Sequence, residues 1–343
     1  MDSREKEVSK VYNLIMAGFG SQAVRALTLL SVAEHLADGP LTADEIAERE
    51  STDVAATYRL LRAAVALELL DQDADTGAFR STPALEVLHA DHESSLKYFA
   101  RSAASPLFWL PALRLPDALR DGQPQTVAAL GVDTFGYLAG HPEDAVEFGA
   151  AMTGLSAPVI GQAAGGIIEP GEARVVVDVG GAEGAFVAEL LSRHPQLSGV
   201  VLDRPVTIPQ IAAEAERRGL SDRIEAAPGD FFTSVPSGDI YLLKFILHDW
   251  DDASCVRILS TIETAMPPGA RLYIVEMLAD DVQVPLGLAY MDLVMLSALG
   301  GQERSLAAFD GLLQRAGLKR TALLPLLEPY AAIEAVPLDG RVA

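Results

Sequence analysis

Five polar residues lie at the ends of five short apolar runs in the C-terminal half of the sequence. They are Asp178, Asp203, Asp230, His248 and Glu276. Carboxylates can accept hydrogen bonds from the hydroxyl and amino groups of a nucleoside, and histidine is the side chain whose ordinary pKa suits proton transfer near neutral pH. If the fold collects these residues at one edge, the site can bind a nucleoside and move a proton.

The apolar runs alternate with amphipathic segments, and this alternation predicts a repeated βα unit. The predicted strands are Val175–Val179, Gly199–Leu202, Ile224–Ala227, Asp239–Phe245 and Arg271–Glu276, and the predicted helices include Ala185–Leu191, Ile208–Arg218 and Ala253–Ala265. Such a pattern is typical of a parallel, doubly wound sheet, in which ligands bind beyond the carboxyl ends of the strands. The five polar residues all fall at that edge.

The turn after the first predicted strand indicates the class of cofactor. It carries Asp178, Gly180, Ala182 and Gly184 at alternate positions. The dinucleotide fingerprint G-x-G-x-x-G fails here, because its first glycine would fall on Val179. The spacing instead resembles motif I of S-adenosylmethionine methyltransferases, D/E-x-G-x-G-x-G, with alanine in place of the middle glycine. An ordinary tight βα turn is the alternative at this point.

Two acidic positions further along favour an adenosyl cofactor. Asp203 follows Gly184 by nineteen residues, and a carboxylate there can accept hydrogen bonds from both ribose hydroxyls. A nicotinamide cofactor would be served equally well by that residue alone. Asp230 and Phe231 favour the adenosyl cofactor, because the carboxylate can accept from the adenine amino group while the phenyl ring covers the base.

The N-terminal part has the outline of a winged helix. Residues 11–37 carry apolar positions at helical spacing, Thr42 and Glu45 have capping-box spacing, a helix is predicted over residues 53–70, and an extended stretch begins at residue 78. A DNA-binding regulator is therefore a rival interpretation. Between residues 31 and 90, however, twelve Asp or Glu stand against four Arg and no Lys, whereas a groove-binding helix needs positive charge. A packing or dimerisation module is favoured.

Composition narrows the classes of partner and compartment. The formal net charge of −22 argues against binding to nucleic acid or to an anionic membrane. The single cysteine, Cys255, excludes an intramolecular disulfide and argues against a thiolate metal site. The first ten residues lack the apolar core of a secretory signal, and no apolar run reaches the roughly 18 residues of a membrane span. We expect a cytoplasmic protein.

Residues 94–165 are predicted to be helical, with proline and glycine between the segments. Phe148, Met152 and Ser156 follow one another at i, i+4 and i+8 on one helical face. Such a stripe is either a core-facing surface or one wall of an apolar substrate pocket.

The segment LLKFILHDWDD, preceded by GDFF and followed by GGQER, resembles the plant-type small-molecule O-methyltransferase family, in particular its bacterial natural-product branch. The resemblance covers nearly the whole chain. It implies a doubly wound, Rossmann-like α/β methyltransferase domain at residues 106–343, with a helical substrate-pocket segment at 106–165. It also implies a mainly helical winged-helix dimerisation domain at residues 1–105, and hence a homodimer.

The resemblance further implies roles for individual residues. The catalytic base would be His248, flanked and oriented by Glu276 and Glu303. The cofactor-binding positions would be Gly180, Asp203, Asp230, Phe231, Lys244 and Ser156. The acceptor pocket would be lined by Phe148, Met152, Asp249 and Met295. The expected cofactor is S-adenosylmethionine, no metal is expected, and no metal-ligand cluster is visible in the sequence.

Two functions in this family are open from the sequence. The first is methyl transfer to a hydroxyl of an aromatic or polyketide-type small molecule. The second is the chemistry of members that bind the cofactor but catalyse hydroxylation, decarboxylation or a pericyclic reaction. Retention of His248 with both glutamates favours methyl transfer.

Overall fold

The computed structural model describes residues 3–279 and 284–338, and the chain forms two compact units. The N-terminal unit runs to Pro106 and takes in Ala150–Leu155. The C-terminal unit begins at Leu107 and contains the remainder of the chain.

The N-terminal unit is mainly helical. Its helices span Ser3–Leu29, Val32–His35, Ala43–Glu50, Val54–Ala66, Pro83–Glu86 and Lys97–Ala103. The strands β1 (Leu70–Gln72) and β2 (Phe79–Ser81) pair in an antiparallel hairpin after the fourth helix. This succession of helix, turn, helix and hairpin confirms the predicted winged-helix outline.

Local capping explains the helix bounds in this unit. The side chain of Thr42 accepts a hydrogen bond from the Glu45 N–H, and the Glu45 carboxylate accepts from the Thr42 N–H, so the predicted capping box is present. The helix predicted over residues 53–70 ends earlier, at Ala66. Glu68 adopts a φ of 60°, and the following N–H, that of Leu69, bonds to the Ala64 carbonyl and closes the helix.

The C-terminal unit combines many helices with one large sheet. The helices that precede the strands in the chain or alternate with them span Pro106–Ala112, Leu115–Asp121, Thr126–Leu130, Thr134–Gly140, Pro142–Gln162, Ala185–Arg193, Ile208–Arg217, Asp252–Ala265, Leu286–Val294 and Leu306–Arg315. Shorter helical turns span Ala163–Ile167, Pro205–Thr207, Leu247–Asp249 and Met295–Leu299. The strands are β3 (Val175–Val179), β4 (Ser198–Asp203), β5 (Ile224–Pro228), β6 (Ile240–Lys244), β7 (Arg271–Met277), β8 (Leu318–Pro325) and β9 (Tyr330–Pro337).

The sheet has the order β5-β4-β3-β6-β7-β9-β8. Strands β3 to β7 pair in parallel, as predicted, and each lies within two residues of its predicted start and end. The doubly wound fold is confirmed, and the complete sheet is mixed, because two strands that the sequence did not predict follow: β9 pairs antiparallel with both β7 and β8. The strand order reverses between β3 and β6, the place where a doubly wound sheet opens a crevice for ligands.

Both faces of the sheet are covered by helices, which holds the strand ends rigidly. Val176 faces a core with Phe186 of the helix after β3, whereas the next residue, Val177, faces a second core with Ile258 of the helix after β6. Alternate residues of a buried strand therefore pack against the helices on opposite faces of the sheet. For this reason the sequence of such a strand is mostly apolar rather than alternately apolar and polar.

None of the helices in the described part of the chain combines the length and apolar character that crossing a membrane requires. The first helix, Ser3–Leu29, nevertheless exposes large apolar side chains at helical spacing, including Val11, Ile15 and Phe19.

Candidate active site

The turn between β3 and the following helix forms a tight cradle. Gly180 has a φ of 72°, in the left-handed region that glycine adopts at no steric cost. A Cβ added at Gly180 would lie 2.6 Å from Cδ1 of Ile246, and one added at Gly181 would lie 2.6 Å from Cγ of Asp178. Ala182 also has a positive φ, of 49°, which costs an L-residue roughly 1–2 kcal/mol. Alanine therefore stands in a backbone conformation that a glycine at this position would adopt without that cost.

Asp203 ends β4 beside this turn. Its Oδ2 accepts a hydrogen bond from the Ala182 N–H at 2.8 Å. Its Oδ1 accepts from the Arg204 N–H at 2.7 Å and from the Thr207 hydroxyl at 2.8 Å. These contacts fix the carboxylate at the carboxyl ends of β3 and β4, where the sequence placed it.

Asp230 and Phe231 follow β5 at the same edge. Asp230 is exposed, and its Oδ1 accepts from the Phe232 N–H at 2.9 Å. The Phe231 ring borders the glycine turn, because Cε1 lies 3.5 Å from the position of a Cβ on Gly180. It also contacts the Trp250 ring edge-on, at a centroid distance of 6.2 Å.

Asp178 and Lys244 are the charged groups nearest the base of the turn. Asp178 is buried, and within residues 3–279 and 284–338 its Oδ2 has no hydrogen-bond partner. Burial raises the pKa of Asp178 to about 7, against the opposing charge of Lys244. Burial also lowers the pKa of Lys244, which the carboxylates of Asp178, Glu276 and Asp249 oppose. A polar ligand in the turn would supply the hydrogen bond that Oδ2 of Asp178 lacks.

His248 lies at the end of β6, on the turn Leu247–Asp249, and only 7% of its surface is exposed. Its Nδ1 lies 2.8 Å from Oε1 of Glu303 and 4.0 Å from Oε2 of Glu276. Its Nε2 lies 3.4 Å from Oδ1 of Asp249. One ring nitrogen is therefore held by the glutamates, and the other is the one that can meet a substrate.

Glu276 supports the histidine turn as well as the imidazole. Its Oε1 accepts hydrogen bonds from the N–H groups of Ile246 at 3.1 Å and Leu247 at 2.9 Å. In the described ranges, Oε2 of Glu276 and Oε2 of Glu303 are buried without a hydrogen-bond partner. Two carboxylates with spare acceptor capacity thus face one imidazole.

This arrangement strongly favours the charged imidazolium. Burial disfavours it, but the carboxylates of Glu276, Asp249 and Glu303 outweigh burial and raise the pKa of His248 to about 10. Burial likewise raises the pKa of Glu276 to about 7 and that of Asp249 to about 6. The cluster can therefore store a proton and stabilise positive charge on the ring.

The same three side chains could in principle hold a metal ion, since ligand-type atoms of His248, Glu276 and Glu303 lie within 4.8 Å of one another. The Nδ1–Oε1 separation of 2.8 Å is that of a charge-assisted hydrogen bond. Two tetrahedral zinc ligands stand farther apart, at about 3.3 Å. The geometry fits a shared proton better than a cation.

Comparison with known proteins identifies the family. A sequence model of the O-methyltransferase domain matches residues 113–319, and one of the O-methyltransferase dimerisation domain matches residues 13–91. The chain belongs to the O-methyltransferase family.

Relatives match over almost the whole chain. O-demethylpuromycin-O-methyltransferase from Streptomyces alboniger is 36% identical over 337 residues, which cover 96% of this chain and 89% of that protein. The solved structure of the mitomycin 7-O-methyltransferase MmcR matches with a TM-score of 0.91 at 32% identity, over 98% of this chain and 99% of that one.

A third match bears on the cofactor. The O-methyltransferase NcsB1 from neocarzinostatin biosynthesis was solved with S-adenosylmethionine and 2-hydroxy-5-methyl naphthoic acid. It matches with a TM-score of 0.79 at 31% identity, over 93% of this chain and 96% of that one. This O-methyltransferase therefore uses S-adenosylmethionine.

Two residues predicted to line the acceptor pocket, Phe148 and Met152, lie on the helix Pro142–Gln162 of this O-methyltransferase, together with the predicted cofactor-binding residue Ser156. Phe148 stacks on Phe108 at a centroid distance of 6.1 Å. Met295 is buried at the start of the turn Met295–Leu299. Ser156 is fully buried on the helix Pro142–Gln162, and Met152 lies on that helix within the stretch assigned to the N-terminal unit. Their roles stay predictions.

Three features escaped the sequence interpretation of this O-methyltransferase. Trp250 stacks on Phe135 at 5.5 Å, beside the predicted adenine-covering Phe231. A Cβ on Gly301 would lie 1.9 Å from the His248 carbonyl oxygen, so the main chains meet directly there. Arg304 is buried behind the histidine turn. The sequence did point to Gly301 and Arg304, because both belong to the GGQER motif, but only its glutamate, Glu303, was given a role.

Proposed function

We propose that this O-methyltransferase methylates a hydroxyl of an aromatic or polyketide-type small molecule, with His248 as the general base. The observation that carries the proposal is the placement of the imidazole: Nδ1 is bound to Glu303 at 2.8 Å, while Nε2 is left on the opposite side of the ring. A base held in this way has one orientation and one nitrogen with which to accept a proton.

The residues at the strand ends fit S-adenosylmethionine, which supplies an electrophilic methyl group on a positively charged sulfur when bound. Asp203 would accept from the ribose hydroxyls, Asp230 from the adenine amino group, and Phe231 would cover the base. The open main chain of the turn at Gly180 and the charge of Lys244 complete the set of contacts. Ser156 is included on the strength of the family resemblance.

His248 would remove the acceptor proton as the hydroxyl oxygen attacks the methyl group. A phenol with a pKa near 10 is a weak nucleophile at neutral pH. A positioned base raises such a rate by roughly 10²–10⁴, and alignment of the two reactants can contribute about 7–11 kcal/mol more. Glu276 and Glu303 would stabilise the imidazolium that forms.

The acceptor class is inferred from the relatives, whose names point to a puromycin precursor and a mitomycin and, for the NcsB1 complex, to a naphthoic acid. A hydroxylated aromatic ring suits the apolar side chains Phe148 and Met295, and Asp249 stands next to the reacting nitrogen. Met152 is proposed with them from the resemblance. We assign this chemistry to residues 106–343.

We further propose that residues 1–105 form a homodimer through the first helix. Val11, Ile15 and Phe19 expose 54%, 73% and 75% of their surfaces, and the dimerisation-domain match begins at residue 13. Ile15→Asp should shift the protein from dimer to monomer in sedimentation equilibrium, and an unchanged mass would contradict the proposal. Nucleic acid and membrane are not expected as partners, and a cytoplasmic location stays a prediction.

The proposed activity is tested with labelled S-adenosylmethionine and a panel of phenolic natural products. His248→Ala should lower the rate of methyl transfer by roughly 10²–10⁴, while calorimetry should show cofactor affinity within about threefold of wild type. Equal loss of both would mean that His248 is structural. A wild-type enzyme that converts a panel compound without transferring label would support hydroxylation, decarboxylation or pericyclic chemistry, which the comparisons do not favour.

A further inference from the structure

Arg304 is almost fully enclosed, with 3% of its surface exposed. Its guanidinium donates to the main-chain carbonyl oxygens of Leu247 and Trp250, at 2.7 Å each. It also donates twice to Oδ1 of Asp252, at 2.9 and 3.1 Å. Since Leu247 and Trp250 flank His248, one side chain holds both ends of the turn that carries the imidazole.

The main chain around Arg304 is docked on the same turn. The Gln302 N–H donates to the His248 carbonyl at 3.0 Å, and Gly301 lets the two backbones meet. On its other side, the Arg304 carbonyl accepts from the Ala279 N–H at 3.0 Å, just beyond β7, the strand that carries Glu276. Arg304 therefore stands where the segments carrying His248, Glu276 and Glu303 join.

The hydrogen bonds of Arg304 indicate that it holds the shape of the His248 turn, rather than acting on the imidazole through its charge. Three of its four bonded acceptor groups are neutral carbonyls, those of Leu247, Trp250 and Gln302, and its charge is matched by the Asp252 carboxylate. A planar guanidinium offers several N–H groups in fixed directions, so it can hold two carbonyls and a carboxylate at once. A lysine in its place offers one nitrogen and cannot span them.

We propose that Arg304 is a positioning residue, which holds His248 in register with Glu303 and so keeps Nε2 aligned for the acceptor. The proposal rests on the assignment of His248 as the base. It predicts that Arg304 acts on the chemical step and leaves cofactor binding alone. Four of the five hydrogen bonds of its guanidinium end on the histidine turn and on the start of the next helix, and the fifth, at 3.4 Å, ends on the carbonyl of Gln302, whose N–H is bound to that turn.

The first test is Arg304→Lys, with Arg315→Lys as the matched control. Arg315 approaches the other oxygen of Asp252, at 3.9 Å, and is half exposed, so it shares the carboxylate but not the carbonyl contacts. We expect kcat of Arg304→Lys to fall between about tenfold and a hundredfold, since misplacement of a reacting group by about 1 Å costs this much. KM for S-adenosylmethionine should stay within about twofold, and the control should match wild type.

A double-mutant cycle separates positioning from general damage. In a His248→Ala background, Arg304→Lys should leave the residual methyl-transfer rate unchanged, because the group it positions is gone. A further loss of similar size in that background would overturn the proposal, as would wild-type kcat in Arg304→Lys. If Arg304→Lys does not fold, Asp252→Ala decides: it removes the carboxylate that anchors the guanidinium at a half-exposed position, and an unchanged kcat would overturn the proposal.

A spectroscopic readout needs no turnover and so stands apart from the proposed function. In protein labelled with ¹⁵N-histidine, the Nδ1–H of His248 bound to Glu303 should give a downfield proton resonance, assigned by its loss in His248→Ala. Arg304→Lys should broaden or remove that signal and Arg315→Lys should keep it. Retention in Arg304→Lys would overturn the positioning role, whereas a wild-type enzyme that transfers no methyl group would refute the function alone.

Discussion

Replacement of Glu303 by glutamine separates the charge of the carboxylate from its hydrogen bond. Oε1 of Glu303 accepts from Nδ1 of His248 at 2.8 Å, and Oε2 is buried. The amide oxygen of glutamine can accept the same proton at nearly the same place. The imidazole therefore keeps its tautomer and orientation but loses a negative charge that stabilises the imidazolium formed in the transition state.

The expected loss follows from the difference between two kinds of hydrogen bond. A bond to a charged group contributes about 1.5–3 kcal/mol and a neutral one about 0.5–1.5 kcal/mol, so the substitution removes about 1–1.5 kcal/mol. Because 1.36 kcal/mol corresponds to a factor of ten in rate, kcat of Glu303→Gln should fall about tenfold. That is less than the roughly 10²–10⁴ expected for loss of the base in His248→Ala.

The sign of the accompanying pH shift is fixed by the role of the imidazole. A general base acts in its neutral form, so the rate rises with pH as His248 loses its proton. The carboxylate of Glu303 is one of three that raise the pKa of His248. Removing it lowers that pKa, so the acidic limb of kcat/KM should move to lower pH while the plateau falls.

The assay is methyl transfer from labelled S-adenosylmethionine at several pH values, with Asp251→Asn as the control. Asp251→Asn removes one negative charge three residues from His248. The wild-type carboxylate does not contact the imidazole but caps the next helix by accepting from the Ser254 N–H. Asparagine caps equally well, so neither the plateau nor the limb should move. A limb that stays in place in Glu303→Gln, or moves to higher pH, would refute the reasoning.

Three further substitutions test the cradle, the main-chain contact and the buried acid. Asp203→Asn should weaken S-adenosylmethionine binding about tenfold in calorimetry, because a charged acceptor becomes neutral; unchanged affinity would remove it from the ribose role. Gly301→Ala should lower both the melting temperature and kcat, because its Cβ would lie 1.9 Å from the His248 carbonyl oxygen. The control Gly311→Ala should lower neither, because Gly311 lies on a helix with open space where a Cβ would be. Asp178→Asn should flatten the fall in melting temperature between about pH 4 and pH 7: the folded pKa, about 7, exceeds the ordinary 3.8, so wild-type stability drops as pH rises through that window. Parallel pH profiles would contradict the last expectation.

The parallel strands β3, β4, β6 and β7 could be predicted because most of their residues are buried, whereas the edge strand β5 has only half-buried and exposed residues. Val175–Val179 and Ile240–Lys244 present apolar side chains to two layers, so apart from Asp178 and the final Lys244 their sequences are continuous apolar runs. The strands β8 and β9 lie at one side of the sheet, and β8 alternates exposed with half-buried positions only from Thr321 to Pro325, after two consecutive exposed residues at Arg320 and Thr321. Such mixed runs do not distinguish an antiparallel hairpin from irregular structure, so the sequence interpretation missed it.

The sequence predicts those residues of the site that directly follow a recognisable strand. Asp203 and His248 follow recognisable strands, and parallel strands must bring their carboxyl ends together. Glu303 follows no strand that the sequence marks, and its bond to His248 joins residues 55 apart in the chain. That contact depends on main-chain docking at Gly301, a tertiary event that local pattern does not encode. Only the family resemblance pointed to it.

The carboxylates around His248 indicate that the imidazole of the free enzyme is protonated and so is not ready to act as a base. With three carboxylates raising the pKa of His248 to about 10, the imidazole carries a proton at neutral pH and cannot accept another. A positive charge bound in the glycine-turn site opposes the imidazolium and lowers that pKa. The pKa of His248, read from ¹⁵N-histidine spectra, should therefore be lower with S-adenosylmethionine than with S-adenosylhomocysteine, which lacks the positive charge. Equal values with the two ligands would mean that the base is activated by the acceptor rather than by the cofactor.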